Sequence, residues 1–432
     1  MNEAFLHHLW KFKLFNRHQL SSTDGEEIEI LKVGQHNTDA GPDFFNAQIR
    51  IGNTTWAGNV EIHQKSSEWN KHQHTKDAAY NNVVLHVVYE QDEEVYTKEN
   101  TKLISLELKG RFNPEIFQNY LELVENNRWI PCEEHISKVD DITITTWLER
   151  MLIERLETKT GLIAEALKQN KNNWEETFYQ QLAKNFGFKT NALPFEMLAK
   201  SLPMAVLTKH KTNLFQVEAL LFGQSGLLKK DFKDEDPVEL KKEYDFLRKK
   251  FSLTPMESSQ WKFLRLRPSN FPTIRIEQFA QLIHKSTHLF SKILETETIA
   301  ELKTYFSVPV SEYWKSHYIF DRPSPVREKT LGEDAAMNIL INTVVPFVFA
   351  YGRHRNEHGF QERAMKFLEE LAPEKNAIIA NWNQSGITST NAGRTQALLQ
   401  LKNEYCDKKK CLFCSVGNKI INEPYRNHQR FF

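Results

Sequence analysis

The chain has 432 residues, enough for two or three domains with sizeable cores, and its 40% hydrophobic and 26% charged content excludes a disordered or fibrous class. Fifty-six Lys and Arg cancel 56 Asp and Glu, so a general basic surface for nucleic acid is excluded and any such patch is local. Met1 to Ala4 does not begin a secretory signal, and the longest apolar run, Ile339 to Tyr351, is too short and too polar to span a bilayer. A cytoplasmic location without a membrane partner is the expectation.

Phe5, Leu6, Leu9, Trp10 and Phe12 approximate helical spacing and predict a first amphipathic helix over 3–15. Turn chemistry from Ser21 to Gly25 precedes an alternating strand from Glu26 to Val33. After the tight Asp39 to Pro42 connection, Phe44 to Ile51 alternates as a second strand. Gly52 and Asn53 signal a hairpin, and Thr55 to His63 is the third strand. There Asn59, Glu61 and His63 share one face, because strand side chains alternate. Ser66 or Ser67 caps a predicted helix running to about Tyr80. Val83 to Tyr89 reads as a strand buried on both faces, and Leu103 to Leu108 as an edge strand.

From about residue 141 the spacing turns helical, with starts at Asn172 and at Asp236-Pro237. Further helices are expected over 277–295, 333–352 and 359–371. The predicted division is a small mixed α/β domain over 1–135, followed by an all-helical domain over 136–432 that ends in a cysteine cluster. Gln216 to Gly223 and Lys402 to Glu404 set polar residues in apolar helices, where internal hydrogen bonds are expected.

Asp43 and Glu61, 18 residues apart on neighbouring strands, are candidate ligands for one Mg²⁺ or Mn²⁺. Eight of the 16 histidines fall within the first 90 residues, among them His36, His63, His72, His74 and His86. That density leaves open a zinc or manganese hydrolase of another type.

Pro42-Asp43 followed by Glu61-Ile62-His63, in this order of elements, resembles the PD-(D/E)xK nuclease superfamily over about 90 residues. The resemblance implies a restriction-endonuclease-like αβββαβ fold and a magnesium- or manganese-dependent hydrolase. Asp43 and Glu61 would be its metal-holding catalytic acids. In that superfamily a lysine two residues after the second acid orients the attacking water. Here His63 occupies that position, and Lys65 would reach back. His72, His74 and Asp77 on the following helix would face the substrate phosphate. The chain as a whole also resembles a family of uncharacterised bacterial proteins of unknown function.

The expected function is metal-dependent phosphodiester hydrolysis on nucleic acid, DNA and RNA both remaining open. The alternative is a catalytically silent nucleic-acid-binding or scaffolding protein. Two further patterns bear on chemistry. Cys406-x4-Cys411-x2-Cys414, joined by Cys132, assembles all four cysteines of the chain into a candidate Zn²⁺ or [4Fe-4S] site, with His428 as a substitute fourth ligand. Arg265, Arg267 and Arg275 among aromatics, and Arg353 and Arg355, are backbone-tracking candidates or plain ion-pair partners.

Overall fold

Asn2 starts the first helix, α1 (Glu3–Phe12): its side chain accepts from the Phe5 N–H, and Lys13 closes the helix in the left-handed region at φ 53°. The face bearing Phe5, Leu6, Leu9 and Trp10 is buried. The computed structural model describes residues 1–286 and 288–423. After α1 come β1 (Ile28–Lys32), β2 (Gln35–His36), β3 (Phe44–Ile51), β4 (Thr54–Lys65), α2 (Glu68–Lys71), β5 (Val83–Glu90), β6 (Ser105–Glu107) and α3 (Pro114–Glu125).

β1, β3 and β4 form an antiparallel meander, β2 pairs with the start of β3, and β5 and β6 add in parallel. This is a small mixed sheet. The β3–β4 turn is tight because Gly52 takes φ 55°. At the start of the β4–β5 pairing only glycine fits at residue 58, where a Cβ would stand 2.7 Å from the Asn82 carbonyl oxygen.

The predicted helix from Ser66 to Tyr80 is corrected. α2 is one turn long, and two single 3₁₀ turns follow, His74–Lys76 and Ala78–Tyr80. Gln73 breaks the helix by adopting φ 61°, and Asp77 is extended, its carboxylate accepting from the Ala79 N–H. Trp69, Val83, Val95 and Leu103 form the apolar cluster beneath this segment, with Tyr80 packed against it. The Trp69 indole N–H donates to Thr75 Oγ1 at 3.0 Å and fixes the turn from inside.

The domain boundary also differs from expectation. The first unit comprises Met1–Trp147 with the described part of Lys402–Phe432; the second is Leu148–Leu401. The C-terminal residues join the first unit through polar anchors that local pattern does not reveal. Lys409 Nζ donates to the carbonyls of Val124 and Asn126 at 2.6 and 2.9 Å. Asn119 Nδ2 donates to the Ile421 carbonyl at 3.2 Å.

The second unit is helical apart from the two-stranded ribbon His317–Ile319 and Arg322–Pro323. Phe186, Phe195, Phe222, Phe279, Phe306, Phe347, Trp314 and Trp382 fill its core. The run Glu333–Arg355 is long and apolar enough to cross a membrane, yet 78% of its apolar window is buried in protein. A π-helical turn, Leu340–Val344, interrupts it ahead of Pro346. Arg275 is structural: it is buried, donates to Gln278 and Asn270, and lies 4.7 Å from the Phe188 ring centroid.

Two buried acids face each other in this unit, Glu218 on Leu214–Gln224 and Glu277 on Pro272–Lys285. Burial first, then the Glu277 charge, push the Glu218 carboxyl up to about 10, and a shared proton pairs the two side chains. The folded state therefore holds a proton that the unfolded chain releases. This contribution to stability is full below the ordinary glutamate value and declines as pH rises toward about 10. Glu218→Gln, which hydrogen-bonds without titrating, is expected to gain melting temperature over the wild type progressively between about pH 7 and 9. A difference independent of pH in thermal melts would contradict the shared proton.

Candidate metal centre

The antiparallel step from β3 to β4 brings Asp43 beside Glu61. The Asp43 N–H donates to Glu61 Oε2 at 3.2 Å, and the Ile62 N–H donates to Asp43 Oδ2 at 2.9 Å. α1 adds His7, whose Nε2 lies 3.2 Å from Asp43 Oδ2, both side chains about one-fifth exposed. Glu61 and His63, two apart on β4, project to the same face. In the parallel register Glu61 stands opposite His86 of β5, and His63 Nδ1 meets His86 Nε2 at 2.8 Å. The break at Gln73 turns both His72 and His74 back onto this face. On a continuous helix residues two apart would diverge.

The result is a cage of four donor atoms. His63 Nε2 is 3.3 Å from His72 Nδ1, 3.3 Å from His74 Nε2 and 3.5 Å from Glu61 Oε1; His74 Nε2 is 3.4 Å from Glu61 Oε1. The ligand atoms of the three histidines all lie within 4.8 Å of one another. Glu61, His63 and His74 are buried, while His72 is exposed, so the cage opens to solvent on the His72 side. The Tyr80 ring stacks on His74 at 3.8 Å, and Trp69 packs edge-on against it.

Electrostatics show what this arrangement lacks. Burial, then the neighbouring imidazoles, lower His63 to about 2; burial, then His74, lower His86 to about 3; His74 is lowered by the same causes, burial ahead of His72. Burial and the Asp43 charge push the Glu61 carboxyl up to about 9. Nitrogen lone pairs and a protonated carboxyl thus converge in a site of low polarity with no positive charge of its own.

A tetrahedron with bonds of about 2.0–2.1 Å has six edges of about 3.3–3.4 Å; four of the donor–donor separations, 3.3 to 3.5 Å, fall on that scale. Three imidazole nitrogens and one carboxylate oxygen suit Zn²⁺ or another first-row ion such as Mn²⁺. They do not suit Mg²⁺, which prefers oxygen donors in an octahedron. His63 Nδ1 on His86 is the kind of outer hydrogen bond that orients a ligating imidazole.

The sequence-predicted residues divide accordingly. Glu61, His63, His72 and His74 come together. Asp43 lies beside them, occupied by the Ile62 N–H and His7. Lys65 is exposed at the end of β4, and Asp77 is an exposed cap. His36 reaches the edge of the site only through ring contacts with His7 and Phe44. His428 lies outside the described residues. Sequence reasoning missed His7 and Glu3, and gave Tyr80 no role of its own. Glu3 is raised by burial and by Asp43, and Tyr80 is pushed up to about 12 by burial and by Glu61. The paired histidines within an otherwise apolar first helix were the available signal. Another three-donor group, Glu122, Glu134 and His135, is mostly exposed, with Arg128 ion-paired to both acids.

A family model described as "Protein of unknown function (DUF2851)" matches residues 3–377. The chain belongs to this family. The DUF2851 match takes in the whole histidine–glutamate cage and Cys132. No curated protein and no solved structure matches the chain.

Titration with Zn²⁺ against a competing chromogenic chelator is expected to show one tight site in the N-terminal unit. Glu61→Gln and His74→Ala should weaken it by about 100-fold or more, and His86→Ala by about 10–100-fold. Wild-type affinity in the Glu61 and His74 variants would remove the cage as a metal site.

Proposed function

We propose that the N-terminal unit is a metal-dependent phosphodiesterase acting on nucleic acid, with Glu61, His63, His72 and His74 holding the ion and Asp43 and His7 beside it. The observation that carries this reading is the convergence of Glu61 Oε1 with three imidazole nitrogens, next to a second acid–histidine pair. The order of α1, β1, β3, β4, α2 and β5, with β5 parallel to β4, supports the resemblance to PD-(D/E)xK nucleases, as does the position of Asp43 just before β3 and Glu61 on the adjacent β4. The departure at the lysine position acquires a chemical sense: His63 is a ligand rather than a base.

An ion in this cage supplies water activation and charge stabilisation at a phosphoryl oxygen. The chain supplies the rest. Asp43 orients His7, so that its imidazole accepts a proton from an attacking water. Tyr80 keeps its hydroxyl proton, because burial and the nearby Glu61 and Asp43 raise it to about 12, and is a hydrogen-bond donor for a substrate oxygen. Exposed His72 leaves the approach open to a bulky polymer. The absence of the usual lysine favours a second reading, a protein that binds nucleic acid without cutting it.

The test is cleavage of labelled single- and double-stranded DNA and RNA with Mn²⁺, Zn²⁺ or Mg²⁺. Wild type is expected to cut with Mn²⁺ or Zn²⁺. Glu61→Gln should lose at least about 100-fold, and His7→Gln about 10²–10⁴-fold with its pH profile flattened. Nucleic-acid binding without cleavage under every metal would support the silent reading and end the hydrolase proposal.

A further inference from the structure

All four cysteines of the chain belong to the first unit, although about 270 residues separate Cys132 from the other three. None forms a disulfide; Cys132, Cys411 and Cys414 are buried and Cys406 is half-buried. Their neighbourhood is built by specific backbone contacts. Asn126 Nδ2 donates to the Pro131 carbonyl at 3.0 Å and folds the loop that delivers Cys132. Lys409, between Cys406 and Cys411, donates to the carbonyls of Val124 and Asn126 at the root of that loop. Lys402 stands over the Trp129 ring at 5.2 Å and pairs with Asp407.

Cys411 begins a 3₁₀ turn, and Cys414 precedes the helix Ser415–Asn422. Gly417 permits this approach: a Cβ there would lie 2.3 Å from the Cys411 carbonyl oxygen. The thiols also sense one another. Burial, then Cys132, Cys414 and Cys411, push Cys406 well up, and Cys132 is raised by burial and then by Cys414 and Cys411.

We propose that Cys132, Cys406, Cys411 and Cys414 are the ligands of one iron–sulfur cluster that clasps the C-terminal segment to the N-terminal unit. Three buried thiols and one half-buried, none in a disulfide, gathered at one place are a costly arrangement, and a thiolate-bound centre resolves it. Cluster binding converts each thiol to a thiolate and releases its proton to solvent. The sequence spacing Cys406-x4-Cys411-x2-Cys414, with the fourth cysteine far away in the chain, matches a spacing used in iron–sulfur ligation and favours a cluster over one ion.

This proposal is independent of the hydrolase reading, and the experiment keeps the two sites separate. The full-length His74→Ala chain, which removes a ligand of the histidine cage, is produced with iron supplementation and purified without oxygen. Expected is a brown protein carrying iron and acid-labile sulfide in equal numbers, about two or four of each per chain. Cys132→Ser and Cys406→Ser, added singly to that background, should each lose most of the iron and sulfide. Iron-free protein that melts cooperatively, or about one zinc per chain in place of iron, would overturn the cluster. If the serine variants fail to fold, the metal and sulfide content of the cysteine-intact protein still decides.

Discussion

A buried carboxylate facing three imidazole nitrogens is the constraint on which the N-terminal unit depends. Glu61 Oε1 and the histidine nitrogens crowd to within 3.3–3.5 Å in a site where burial and the neighbouring imidazoles keep His63 and His74 uncharged. Such a set is unfavourable by itself, because desolvated lone pairs without donors or a cation raise the free energy of the folded state. The surrounding elements are what hold it. α1 contributes His7, the start of β3 contributes Asp43, β5 contributes His86, and the Trp69 cluster fixes the turn that returns His72 and His74. A divalent cation would use the lone pairs of imidazoles that burial already holds neutral, and would make the Glu61 carboxylate the stable form.

The strands of this unit were legible because period-two alternation and the Gly52 turn are strong local signals, and they placed Glu61 and His63 correctly on one face. The segment after β4 was not. Gln73 takes the left-handed conformation without being glycine, and nothing in its neighbours announces it. With a helix assumed, His72 and His74 diverge and look like substrate contacts. With the break, they become two corners of the cage. Asp43 was read as sharing the ion with Glu61, whereas its Oδ2 accepts from the Ile62 N–H and lies 3.2 Å from His7 Nε2. Pairing Cys132 with the three late cysteines already contradicted a boundary at 136, but only the contacts of Lys409 and Asn119 make the C-terminal association visible.

The helical unit handles its buried polar groups differently. Lys159, lowered to about 7 by burial, donates to Asn342 and Gln396 beside a cavity of about 560 Å³, and Gln216 bridges His210 and Glu243. These groups find partners on neighbouring helices, as expected of polar residues that specify packing. In the N-terminal unit the donors converge on a point instead. That contrast sets the first 90 residues apart as the place where buried donor atoms converge, although the cavity of about 560 Å³ lies in the helical unit.

The association of residues 402 onward with the first unit also orders events on the ribosome. The sheet, α1 and α3 leave the tunnel early, but the segment that packs against the end of α3 is made only after the whole of Leu148–Leu401. At about 5–20 residues per second this is a delay on the order of ten to fifty seconds. During it the surface around Cys132 waits uncovered beside a finished sheet, until residues made after Leu401 reach it.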